Sequence, residues 1–156
     1  MGCTSLAGNI QEQDILDIHN RKRALHNSPP LKINSDLNKL AKKSANKISK
    51  NKTFTKNIYN GQYLGENIFI YKGLILEPEN ICNEWYDEIK NYDKSLNKYQ
   101  KNTGHFTQMI WKETKEMGFG YTNNDGIYYA VVYYYPAGNT LGEFKDNVLI
   151  KYIIKI

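Results

Sequence analysis

Apolar side chains recur at helical spacing, with polar residues between them, in three stretches of the chain, and this pattern predicts three helices. Pro29 and Pro30 end the first helix because proline cannot continue it, whereas Pro78 suits the first turn of the third. Asn34 or Ser35 can cap the second helix. The predicted helices cover residues 11–26, 35–50 and 78–89.

The rest of the pattern predicts strands and connections. Residues 127–135 are almost continuously apolar or aromatic and follow the turn sequence NNDG at 123–126, so they predict a hairpin with residues 119–122. We expect a further strand at 66–71, a polar loop at 51–63 and a short helix at 105–112. Helices, a strand, a helix and a hairpin, without an internal repeat, predict the α+β class.

The length of 156 residues suffices for one domain with a sizeable core. No apolar run approaches the roughly 20 residues of a membrane-spanning helix, and the N-terminus lacks the basic and apolar regions of a secretory signal. We expect a flexible N-terminus at residues 1–9, one domain at 10–149 and an apolar extension at 150–156. The apolar tail that begins at Val148 predicts an extra strand, an edge or membrane-contact segment, or an aggregation-prone segment.

Charge is distributed unevenly. The net charge is +5, and eight lysines fall within residues 32–56, where Asp36 is the only acidic residue. Lys39, Lys43 and Lys47 share the face of the second predicted helix that lies away from its apolar stripe. This face predicts either binding to an anionic surface or simple solvation, and both interpretations remain open. The many tyrosines are not accompanied by a nucleic-acid motif, so no nucleic-acid partner is expected.

Five short motifs, in one order along the chain, resemble a known family. The most specific is GHFTQMIW at residues 104–111, and YYPAGN at 134–139 resembles the end of a second signature. The other three are His19-Asn20 with Arg23, GEN at 65–67 and WYDE at 85–88. Together they resemble the CAP superfamily of cysteine-rich secretory, antigen 5 and pathogenesis-related class 1 proteins. The resemblance implies a three-layer α-β-α sandwich.

The resemblance also implies a cleft in which two histidines and two glutamates hold a divalent metal in some members. Glu66, Glu88 and His105 match three of these positions, and Lys56 or a residue beside it matches the missing histidine. Zinc favours imidazole, thiolate and carboxylate ligands, so we expect weak zinc binding at most and no other cofactor. The Lys56 ammonium either neutralises the two carboxylates in place of a metal or points into solvent.

Only Cys3 and Cys82 are present, whereas secreted relatives are rich in disulfides. Two free thiols in a reducing compartment are therefore preferred over a single bridge. The sequence Met1-Gly2-Cys3 predicts myristate on Gly2 and palmitate on Cys3, although Ser5 stands one place earlier than the acylation pattern requires. The alternative is an ordinary, unmodified N-terminus.

Together with the lysine face, the resemblance implies a binding module for anionic lipid, sterol or fatty acid at a membrane surface. The pattern is closest to the Golgi-associated pathogenesis-related branch of the family. We therefore expect the cytoplasmic face of a membrane such as the Golgi, or secretion if a signal peptide has been removed. One alternative is a metal-dependent hydrolase or protease in which Glu66, Glu88 and His105 are catalytic. Another is a scaffold, with a protein partner at the cleft or a second copy of the chain.

Overall fold

A four-stranded sheet lies between two helical layers in the computed structural model, which describes residues 9–151. This arrangement confirms the predicted α+β, α-β-α sandwich. The helices are α1 Glu12–Ala24, α2 Ser35–Asn51, α3 Pro78–Tyr86, α4 Gly104–Ile110 and α5 Phe144–Asn147. The strands are β1 Lys32–Ile33, β2 Ile58–Tyr59, β3 Gln62–Tyr63, β4 Gly65–Lys72, β5 Glu116–Asn124 and β6 Ile127–Tyr135. The sheet order is β1-β5-β6-β4, with β1 parallel to β5 and the other pairs antiparallel.

Strand β6 is buried on both faces because helices cover both sides of the sheet. Alternate residues of a strand point to opposite faces. Tyr129, Val131 and Tyr133 therefore pack against α2, while the residues between them join the core formed with α1, α3 and α4. This explains why the sequence of β6 is a nearly continuous apolar and aromatic run.

Local contacts confirm the predicted starts of α2 and α3, whereas α3 ends at Tyr86, before the predicted residue 89, because the chain continues in a 3-10 helix at Asp87–Asn91. The Asn34 side chain accepts hydrogen bonds from the backbone amides of Asp36 and Leu37, at 2.9 and 3.3 Å, and so caps α2. Pro78 lies in the first turn of α3. Within the described part of the chain, no helix is long and apolar enough to cross a bilayer.

Two segments differ from the sequence expectations. The expected loop at 51–63 contains a short hairpin, β2–β3, whose turn residues Asn60 and Gly61 both have positive φ, at 49° and 75°. The start of the apolar tail is not a strand: Val148 is buried in the core, and Lys151 is the last described residue. Residues 152–156 lie outside the described part, as does the predicted N-terminal segment up to residue 8.

The Arg23 side chain ties α1 to the segments that follow it and to α4. Its Nε donates to the carbonyl of Pro29 at 2.8 Å, and its two terminal nitrogens donate to the carbonyls of Met109, Trp111 and Thr114 at 2.8–3.0 Å. The side chain is fully buried. These bonds satisfy backbone oxygens that no helix or strand uses, so the role of Arg23 in its motif is structural.

Candidate functional site

Glu88 and His105 form the centre of the candidate cleft. Glu88 follows α3 in a 3-10 turn, and His105 is the second residue of α4. One Glu88 oxygen accepts hydrogen bonds from the backbone amides of His105 and Phe106, at 2.8 and 3.0 Å. The other lies 2.9 Å from His105 Nδ1. Because a carboxylate only accepts, Nδ1 carries the proton of this bond, and a neutral His105 therefore leaves Nε2 as an acceptor.

Trp85 stacks on the face of the His105 ring, while Glu88 bonds its edge. The two rings are stacked, with centroids 6.2 Å apart and planes 13° apart. Trp85 is itself buried and donates from Nε1 to the Ile68 carbonyl at 3.3 Å. The imidazole side chain is still 43% exposed, and it borders a cleft of about 480 Å³. His105 is thus oriented by two neighbours and accessible to a ligand.

A buried hydrogen-bond network supports the cleft from the core. Asn67 on β4 donates at 3.1 Å to both the His105 carbonyl and the Tyr134 hydroxyl. The same hydroxyl lies 2.6 Å from His19 Nε2, while His19 Nδ1 lies 2.8 Å from the Ile15 carbonyl. Because the Ile15 carbonyl only accepts, His19 Nδ1 donates to it, and in a neutral imidazole Nε2 then accepts from the Tyr134 hydroxyl. Sequence reasoning gave Asn67 and Tyr134 no such role, although both lie within the recognised motifs.

Glu66 points away from this network because successive strand residues face opposite sides of the sheet. It lies opposite Tyr133 in the register of β4 and β6 and interacts with the Tyr133 hydroxyl. Partial desolvation raises the pKa of the Glu66 carboxyl, and a hydrogen bond from Tyr133 partly offsets the rise. Burial in turn raises the pKa of Tyr133 to about 12, so this hydroxyl remains a donor at neutral pH.

Lys56 contacts the Tyr63 ring of the β2–β3 hairpin. Its Nζ is 5.6 Å from the centre of the Tyr63 ring, and within residues 9–151 it forms no ion pair with Glu66 or Glu88. The structure therefore does not show the predicted neutralisation of the carboxylates by Lys56.

The residues present also fit a metal ion poorly. Among the described residues, no group of three or more His, Cys, Asp or Glu side chains is placed to hold one. Both oxygens of Glu88 already accept hydrogen bonds from the first turn of α4. The set Glu66, Glu88 and His105, which the sequence predicted, is thus not assembled as a three-ligand site.

Cys82 offers no alternative reactive group. The thiol is free and buried, and burial raises its pKa to about 12. A thiol of this kind is protonated at neutral pH and behaves as a small apolar side chain. Its predicted unpaired state agrees with the structure, whereas Cys3 lies outside the described residues.

The predicted lysine face is present on the outer side of α2. Lys39, Lys43 and Lys47 are all exposed, while the opposite side of the helix packs on the sheet. With Lys42 and Lys50 they line a shallow groove of about 560 Å³, which Glu12 also borders. A surface formed by five lysines and one glutamate is strongly electropositive.

Comparison with known proteins places these features in context. The family model described as "Cysteine-rich secretory protein family" (CAP) matches residues 16–135. The chain is 34% identical over 140 residues to Golgi-associated plant pathogenesis-related protein 1 of Homo sapiens, covering 87% of this chain and 90% of that protein. It is 35% identical over 133 residues to Protein PRY2 of Saccharomyces cerevisiae, covering 84% of this chain but 39% of PRY2. In fold it is similar to the solved structure of Schistosoma mansoni venom allergen-like protein 4, with a TM-score of 0.66, 23% identity and coverage of 90% and 93%.

Proposed function

The chain belongs to the CAP family of cysteine-rich secretory proteins, and on that premise we propose that it binds anionic lipid at a membrane surface through the outer face of α2. The observation that carries the proposal is the set of exposed lysines Lys39, Lys43 and Lys47 on one rigid helix. Each lysine near an anionic bilayer contributes about 1 kcal/mol at low salt. Three such residues together contribute about 3 kcal/mol.

The fold favours this use of the helix. The apolar face of α2 packs on the sheet. The helix is therefore already formed before its lysines contact a membrane. The human relative that matches this chain is named Golgi-associated, which agrees with a protein that operates at an internal membrane. We expect the ligand to be an anionic phospholipid headgroup, with sterol or fatty acid as the other lipid classes to test.

Vesicle flotation tests the proposal. Replacing Lys39, Lys43 and Lys47 together by Gln should weaken binding to phosphatidylserine-containing vesicles by about 3 kcal/mol at low salt. The matched control replaces Lys98, Lys112 and Lys145, three exposed lysines on other segments, and removes the same charge. Equal losses in the two variants would show that net charge, and not the α2 face, determines binding.

The Glu88–His105 pair supports a second candidate, hydrolysis. A carboxylate fixed on Nδ1 orients the imidazole and leaves Nε2 to accept a proton as a general base. Assays with ester and peptide substrates, with and without added zinc, test this role. Activity that is abolished in His105→Ala and kept by the α2 triple variant would establish the enzyme.

Acylation would strengthen a lipid-binding function. Gly2 and Cys3 lie outside the described residues, so their modification remains a prediction. A single myristoyl chain anchors only marginally, and a second chain or a basic patch makes attachment stable. The intact mass of protein from its native cell tests the prediction, because myristate and palmitate each add a defined mass.

A further inference from the structure

The loop between β4 and α3 presents apolar side chains to solvent. Leu74 is 94% exposed and Ile75 is 48% exposed. Exposed apolar side chains that adjoin one another mark interaction surfaces more often than scattered ones do. The site and the α2 face described above do not use this loop.

The loop is held firmly in its projecting position. The Gly73 amide donates to the carbonyl of Gly126, at the turn of the β5–β6 hairpin, at 3.0 Å. The Tyr128 hydroxyl donates to the Leu74 carbonyl at 3.2 Å. Leu76, two residues further on, is buried. The exposed side chains therefore lie on a braced turn at one end of the sheet.

The C-terminal end of α2 reaches the same end of the sheet. Asn124, at the hairpin turn, donates to Ser49 Oγ at 3.1 Å, and Lys52 contacts the Tyr129 hydroxyl. Lys50 continues the lysine face of α2, and Lys72 ends β4 immediately before the apolar loop.

Basic side chains adjoin the loop on the side of α2. Lys50, Lys52 and Lys72 lie there with Asp125 of the hairpin turn, whereas Glu77 and Glu79 follow the loop on the side of α1, where they border a groove with Asp14 and Asp17. The apolar loop thus adjoins the basic surface. Apolar side chains beside lysines are the arrangement that suits an interface between phosphate headgroups and acyl chains.

We propose that Leu74 and Ile75 insert into the boundary between headgroups and acyl chains of an anionic bilayer while the C-terminal lysines of α2 contact its phosphates. This inference rests on the proposed lipid-binding function and adds the orientation of the molecule on the membrane. The molecule is tilted so that the outer face of α2 and the end of the sheet with the β5–β6 turn both face the bilayer. Leu141, which is 84% exposed, follows the other end of β6 and remains in water.

Tryptophan fluorescence with brominated lipids tests the insertion. The two native tryptophans, Trp85 and Trp111, are each 1% exposed, so their emission is a constant background, and the difference from the wild type reports the introduced tryptophan. On phosphatidylserine vesicles with brominated acyl chains, the emission of Leu74→Trp should shift to shorter wavelength and be quenched. The matched control, Leu141→Trp, should remain unchanged.

Affinity provides the second readout. Leu74→Glu should weaken vesicle binding roughly tenfold or more, since a leucine side chain that leaves an apolar environment loses its full transfer free energy. Leu141→Glu makes the same change in charge at the opposite end, and its affinity for the vesicles should stay within about twofold of the wild-type affinity.

The outcomes separate this inference from the proposed function. If the wild type floats with vesicles but Leu74→Trp is neither shifted nor quenched, insertion is refuted and lipid binding stands. Quenching of Leu141→Trp in place of Leu74→Trp would refute the orientation. If the wild type does not bind vesicles, the lipid function itself fails. Capture of a protein by the loop without vesicle binding would also refute the inference.

Discussion

His19 illustrates how burial determines the chemistry of a single residue. Its side chain is completely buried, and desolvation lowers its pKa to about 4, with the charge of Arg23 acting in the same direction. Its two ring nitrogens are used by the Ile15 carbonyl and the Tyr134 hydroxyl. A proton added to Nε2 would break the bond that this nitrogen accepts. His19 is therefore a structural histidine that the folded protein keeps neutral.

We predict an acid-sensitive stability that depends on His19. A pKa below the unfolded value of about 6.5 means that folding favours the neutral form. The stabilisation is complete above pH 6.5 and is lost as the pH falls towards 4, with a total of roughly 3 kcal/mol. Urea unfolding at pH 7, 5.5 and 4 should show a smaller pH dependence for His19→Gln than for the wild type. Parallel pH profiles would contradict the prediction.

Zinc binding should be weak or absent. Glu88 uses its carboxylate on the start of α4 and on His105, and Lys56 lies over Tyr63. Calorimetry at neutral pH should therefore show no saturable complex at micromolar protein. Lys56→His should increase the affinity if the new imidazole reaches the cleft. A tight one-to-one complex of the wild type that is lost in His105→Ala would show that the cleft rearranges around the metal.

The sequence located part of the candidate site and missed the rest for a physical reason. Glu88 and His105 were predicted to share a cleft, and they are in contact because α3 and α4 pack together. The contacts of Glu66 depend on the face of β4 to which its side chain points. The contacts of Lys56 depend on the β2–β3 hairpin, which carries Tyr63. Motif order does not encode either of these features.

At the scale of elements, two glycines set the distance between α2 and the sheet. A Cβ atom on Gly118 would lie 2.2 Å from the Leu37 carbonyl carbon, and one on Gly120 would lie 2.2 Å from the Lys42 amide nitrogen. Both neighbours are helix backbone, which cannot give way as a side chain can. Glycine is therefore required at these positions because the helix approaches the strand closely.

We predict that Gly120→Ala destabilises the protein by about 1–3 kcal/mol, because α2 must move off the sheet to admit the methyl group. Urea unfolding measures the change. Thr122→Ala, two residues along the same strand, adds no Cβ and should change the free energy of unfolding by less than about 0.5 kcal/mol. Equal stability of Gly120→Ala and the wild type would mean that α2 is free to shift outward without loss of contacts.

The long elements were predictable because each has a repeating pattern or a clear boundary. Periodicity indicated α1, α2 and α3, and the Asp125-Gly126 turn, with φ of 51° and 79°, indicated the β5–β6 hairpin. The short hairpin β2–β3 was missed because strands of two residues are too short to show an alternation. Its Asn60-Gly61 turn was the one available indication.

At the scale of the whole molecule, the two proposed membrane contacts lie on adjoining parts of one surface. The lysine face extends along α2, which is packed across β5 and β6, and its C-terminal end reaches the end of the sheet that carries Leu74. One orientation can therefore bring both to a bilayer. The alternative is that the protein binds by either surface in separate orientations.

A double-mutant cycle distinguishes these two possibilities. The cycle combines the Lys39, Lys43 and Lys47 triple Gln variant with Leu74→Ser, a change that removes the apolar side chain without adding charge, and measures the free energy of binding to phosphatidylserine vesicles. If both surfaces contact the bilayer together, the two losses should add to within about 0.5 kcal/mol. If each surface binds in its own orientation, either variant alone should lose little, because the other orientation remains, and the combined variant should lose nearly all binding. We predict additive losses, because the loop is braced against the hairpin turn and α2 is fixed to the sheet, so neither contact needs the molecule to turn.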